Sequence, residues 1–176
     1  MKRREAVRSI ALTTGGLLAL PAWANRWRPG SAQTVAPFLG ASQEEVLAEM
    51  VETLIPATEI PGAKTLGVHQ FVQKMVADCY EPAVRETLKA GLNTTDAIAQ
   101  EDFGRAFPTC TTDQRLAILQ KLESSPDAAR KDFYSLFKLL AIQGYTTSEY
   151  VMTNFYKYKM IPGHFYGCVP APVANR

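Results

Sequence analysis

The chain has 176 residues, of which 47% are hydrophobic and 20% charged, with 11 Gly, 11 Pro, 3 Cys and 2 His. That balance excludes wholesale disorder and allows one domain with a useful core. The net charge of +2 is uneven: Lys2, Arg3, Arg4 and Arg8 against Glu5 make residues 1–24 +3, which leaves −1 for the rest. No basic surface remains for nucleic acid, and no later run reaches the about 18 apolar residues of a membrane span.

Residues 1–24 read as a twin-arginine signal peptide. Arg3 and Arg4 open it, a weakly apolar stretch runs from Ile10 to Leu20, and Pro21-Ala22-Trp23-Ala24 presents a small-residue cleavage site at Ala22 and Ala24. An ordinary secretory leader is the alternative. No Cys stands at the cleavage site to take a lipid. The twin-arginine route exports proteins already folded, commonly with a cofactor inside.

No cofactor motif answers that expectation in this chain. There is no Cys-x-x-Cys-His, no Cys-x-x-Cys, no Gly-x-Gly-x-x-Gly and no Gly-x-Ser-x-Gly. Two histidines, His69 and His164, are few for a His-built metal centre. We therefore expect no catalytic, cofactor-binding or metal residue here, and a cofactor carried by a partner exported with this chain.

Residues 25–41 contain Pro29, Gly30, Ser31, Pro37 and Gly40 without periodicity and read as a flexible linker. A helical domain is expected over 42–176. Ser42-Gln43-Glu44-Glu45 has the form of a capping box, and Val46, Leu47, Met50, Val51, Leu54 and Ile55 recur at helical spacing until Pro56. The stretch from Pro56 to Ala63 predicts a rigid turn-bearing loop. A second helix is predicted from Val68 to about Cys79, and a third from Pro82 to about Ala99 with Gly91 as a weak point. Phe103 and Phe107 are expected to anchor the following connection. Thr111 or Thr112 caps a fourth helix whose Leu116, Ile118, Leu119 and Leu122 are apolar. Ser125-Pro126 opens a fifth with a stripe of Phe133, Leu136, Phe137, Leu140 and Ala141. Ser148 caps a short sixth reaching about Tyr156. The fold class is all-α, a compact bundle of about five to six helices.

The tail differs. Residues 155–172 hold Phe155, Tyr156, Tyr158, Phe165 and Tyr166 among Pro162, Gly163, Gly167, Pro170 and Pro172. Such an irregular aromatic segment either completes its own core or grips another protein.

The run Leu54-Ile55-Pro56-Ala57-Thr58-Glu59-Ile60-Pro61-Gly62-Ala63, then Gly67-Val68 and Phe71-Val72, resembles the hallmark of the gluconate 2-dehydrogenase subunit 3 family. That family's pattern is I-I-P-x-T-x-x-P-G-A followed by A-G-V-x-x-F. Here Leu66 stands where a small residue is usual. The family loop thus comprises Ile55, Pro56, Thr58, Pro61, Gly62, Ala63 and Gly67. The resemblance covers about residues 42–172 and implies a non-catalytic accessory subunit of a periplasmic sugar, polyol or sugar-acid dehydrogenase. It implies a large subunit of the glucose–methanol–choline oxidoreductase type carrying FAD, often a multihaem cytochrome c subunit with haem c, and passage through the twin-arginine translocase. A transient export chaperone and a stand-alone redox enzyme are the alternative readings.

Within that frame His164, Phe165, Tyr166 and Cys168 are interface candidates, while His69 is expected to begin a helix and find a polar partner. Three cysteines in an oxidising compartment leave one over. Cys79 and Cys110 could pair, with Cys168 then free to bond the partner.

Overall fold

The computed structural model describes residues 4–7, 38–161, 163 and 168. The chain divides into two units, Met1–Pro37 and Phe38–Arg176. In the first, residues 4–7 are helical, with Arg4 exposed. Arg3, Ala22 and Ala24 lie outside the described residues.

The second unit contains six α-helices among its described residues: α1 (Ala41–Leu54), α2 (Val68–Cys79), α3 (Pro82–Phe103), α4 (Thr112–Glu123), α5 (Ala128–Thr146) and α6 (Glu149–Asn154). A 3-10 turn, Phe107–Thr109, precedes α4. No strand occurs among the described residues. The all-α expectation holds for this unit. It begins earlier than the 42–176 expectation, because Leu39 is buried and Phe38 packs against the core.

Several caps sit where side-chain chemistry places them and not where the sequence pattern alone put them. α1 starts at Ala41, after Gly40, whose N–H donates to Gln43 Oε1 at 3.1 Å, so the Ser42–Glu45 box does not form. Once Gly40 supplies the extended residue, Ser42 already lies inside the helix. α4 is capped by Thr111, with Gln114 reaching back to it. α5 is capped by Asp127, two residues beyond Ser125; Ser125 Oγ accepts from the Asp127 N–H at 3.2 Å and sets the preceding turn. α3 continues past Ala99 to Phe103 and ends on Gly104, which takes the left-handed conformation at φ +65°. Ser148 caps α6, whose last residue is Asn154.

α1 and α5 each pack against α2, α3 and α4. Leu47, Met50 and Val51 of α1 join Val72, Leu88, Leu92, Phe107, Leu122, Phe133, Phe137 and Leu140 in one hydrophobic core. Phe107 fills the core as expected, while Leu116, assigned to the apolar face of its helix, is half exposed. Gly91 is no weak point. A β-carbon there would overlap the Phe133 ring, so the absent side chain lets α3 receive that ring. Gly144 plays the same part for α2 and α5, since a β-carbon would come within 2.6 Å of Phe71. That close approach brings the end of α5, and α6 after it, over the loop that precedes α2.

Candidate functional site

The family loop is held by a carboxylate from the helix before it. Glu52 lies in the last turn of α1, where the helix dipole disfavours an acid. Its two oxygens accept from the Ala57 N–H at 3.0 Å and the Lys64 N–H at 2.9 Å, bridging the loop's two ends. Gly62 lies beneath that carboxylate: a β-carbon would meet Glu52 and come within 2.6 Å of the Ala57 nitrogen. The glycine of the Pro-Gly-Ala run is therefore demanded by the acid as well as by the turn.

Backbone bonds complete the loop. Ile55 caps α1, and its carbonyl accepts from the N–H of Ala63, which is fully buried. The Ala63 carbonyl in turn accepts from Val68 at 3.0 Å, and Thr58 donates to Ile60 at 3.0 Å. Pro61 accepts from the Tyr145 hydroxyl of α5 at 3.2 Å. Gly67 precedes α2 at φ +69°, a conformation that favours glycine. Pro56 and Thr58 are exposed.

A second acid fastens the same region to the rest of the bundle. Glu49 of α1 pairs with Lys64 and with Arg115 of α4, and Arg115 also donates to the Pro108 carbonyl in the 3-10 turn. The Arg115 guanidinium lies 6.0 Å from the Phe107 ring centroid. Burial would raise the Glu49 carboxyl, but the hydrogen bonds and positive charges of Lys64 and Arg115 outweigh it and hold the group below its ordinary value.

Between the loop and α6 runs an open groove of about 710 Å³. Leu66, Gly67 and Phe71 form one wall and Ser148, Tyr150 and Asn154 the other. His69 reaches this groove, but its Nδ1 is buried without the polar partner expected for it. Burial lowers its pKa, the Lys64 charge acts in the same direction, and Glu44 opposes both. Among the described residues no three or more His, Cys, Asp or Glu side chains stand close enough to hold a metal ion.

The sequence model of the family described as gluconate 2-dehydrogenase subunit 3 matches residues 41–163, which include the whole loop and both groove walls. The chain belongs to this family. No curated protein and no solved structure matches it. Ile55, Pro56, Thr58, Pro61, Gly62, Ala63 and Gly67, the residues of the expected family loop, all lie between α1 and α2, in or beside the segment that Glu52 braces.

His164, Phe165 and Tyr166 lie outside the described residues. Cys168 is an exposed free thiol. Cys79 and Cys110 are also free, so the pairing considered for them is not made. Cys110 is buried, its Sγ 3.5 Å from the Ala106 carbonyl, whereas Cys79 is exposed at the end of α2. The residues that sequence reasoning missed are Glu49, Glu52 and Arg115. The one local signal for Glu52 was an acid at the dipole-unfavourable end of an apolar helix.

Proposed function

We propose that this chain is the non-catalytic small subunit of an exported FAD-dependent sugar or sugar-acid dehydrogenase. The observation that carries the reading is membership of a family named for a dehydrogenase subunit, over a match that contains the entire Glu52-braced loop. In this reading the Arg3-Arg4 leader with its Ala22-x-Ala24 site takes the chain through the twin-arginine translocase to the periplasm. The FAD resides on a glucose–methanol–choline-type large subunit that folds in the cytoplasm and leaves with it. Haem c, where the complex has it, belongs to a cytochrome subunit. The small chain supplies the export signal and a stable surface on which the flavoprotein matures.

The deciding experiment is a pull-down of the tagged chain from the periplasm with an absorbance scan of the eluate. A large subunit at equal amount, with flavin bands, is the expected result. A colourless chain eluting alone overturns the subunit reading.

A further inference from the structure

α6 ends on a hydrogen-bonded turn. Phe155 and Tyr156 both donate to the Val151 carbonyl, at 3.0 and 3.2 Å, and Tyr158 donates to Met152 at 2.9 Å. Lys157 adopts φ +52°, the left-handed conformation that closes helix ends and is costly for a residue with a β-carbon. The Phe155 ring centroid stands 6.3 Å from that of Tyr150. The root of the arm is therefore fixed on α6.

The side chains it carries are apolar and in water. Phe155, Tyr156, Tyr158, Met160 and Ile161 are 57%, 64%, 57%, 84% and 83% exposed. A single exposed apolar residue needs no explanation, but five in seven consecutive residues form a patch of the kind that marks an interaction site. The other two residues are Lys157 and Lys159, both exposed. Neither lysine enters any ion pair of the described residues, and no acid lies between Tyr150 and Ile161. The arm is uniformly apolar and cationic.

We infer that residues 155–161 are a docking arm for the flavoprotein subunit, placing Tyr156, Tyr158 and Met160 in an apolar cleft whose rim carries carboxylates facing Lys157 and Lys159. The inference rests on the subunit reading above. Three observations select a protein cleft: the fixed root, the aromatic composition typical of interface anchors, and the unpaired lysines that call for an acidic rim. The arm is also continuous with the family loop's groove, because Tyr150, Thr153 and Asn154 of α6 line that groove just before the arm begins. A membrane surface is the other candidate for an aromatic, cationic segment. Anchoring there calls for a long amphipathic helix or a cluster of about four to eight basic residues, and α6 has six residues while the arm has two lysines.

The test is co-expression of the tagged full chain with its flavoprotein, reading flavin absorbance per chain after pull-down. Two variants are compared with the wild type: Tyr156→Ser/Tyr158→Ser/Met160→Ser, and Lys157→Glu/Lys159→Glu. All five side chains are exposed, so the circular dichroism and melting temperature of either variant stay as in the wild type, and each loses flavin retention by about tenfold or more. High salt weakens the wild-type complex as the lysine contacts are screened. A wild-type chain that retrieves no flavin defeats the subunit reading itself. A wild-type chain that retrieves flavin, alongside a triple variant that retrieves it equally, overturns the arm and leaves that reading standing. Co-sedimentation of the full chain with phosphatidylglycerol vesicles, abolished in the triple variant while flavin retention is unchanged, overturns the protein cleft in favour of the membrane.

Discussion

Glu52 shows how one side chain gives meaning to a motif. Its carboxylate replaces water at two backbone N–H groups that a loop of this shape would otherwise leave open, and hydrogen bonds to a charged group contribute about 1.5–3 kcal/mol each at most. Glu52→Gln keeps the shape but leaves one acceptor oxygen for two donors. We expect it to lower stability by about 1–2 kcal/mol and to speed hydrogen exchange at Ala57 and Lys64, with helix content unchanged. Urea unfolding with amide exchange checks this; unchanged exchange at both amides would show that the loop holds without the acid. Nothing in the motif Ile55–Ala63 names Glu52 as its support. The motif was visible in the sequence because its residues are consecutive, while the acid that shapes it interacts across a turn.

The helices were legible because their apolar spacing, the stop at Pro56 and the start at Pro82 are local features, whereas the end of α3 at Gly104 lies beyond the expected Ala99. What spacing could not give is the meaning of a small residue at a helix crossing. By helix propensity, Gly91→Ala gains about 0.8–1 kcal/mol. The structure reverses the sign, since the new methyl group would occupy the Phe133 ring, and overpacking costs about 1–3 kcal/mol or more. We expect Gly91→Ala to destabilise the bundle by about 1–2 kcal/mol and Phe133→Leu in the same chain to cost less than in the wild type. A double-mutant cycle by thermal or urea denaturation measures that coupling. Additive effects would mean that α3 and α5 do not meet at this pair.

Across the helical unit, Glu49 and Arg115 join α1, the family loop, the 3-10 turn and α4 through one network. Its pH behaviour follows from linkage. The Glu49 pKa is depressed in the folded state, so its contribution is full above the ordinary carboxylate value and is lost as pH falls through the lower folded value. The His69 pKa is also depressed, because burial favours neutral imidazole. Below its ordinary value of about 6.5 the unfolded chain takes up the proton first, so this contribution too disappears as pH falls. Stability should therefore decline in two stages, one below about pH 6.5 and one in the carboxylate range. His69→Gln should flatten the first stage and Arg115→Met the second. Melting temperatures between neutral and acid pH check both; a wild-type profile flat down to the carboxylate range would remove His69 from the account.

The linear chain already carried the helical class, the family loop and the absence of cofactor motifs, because each rests on neighbouring residues or on helical spacing. Its cap positions erred by two residues at two helices, where Gly40 and Asp127 take the places expected for Ser42 and Ser125. The tail's role was undecided, since an aromatic segment reads alike whether it folds inward or outward. Only the folded chain shows the acid beneath the loop, the glycine that admits Phe133, and the exposure of Phe155, Tyr156, Tyr158, Met160 and Ile161 after α6. Each depends on residues brought together by packing, and no pattern in consecutive residues records that proximity.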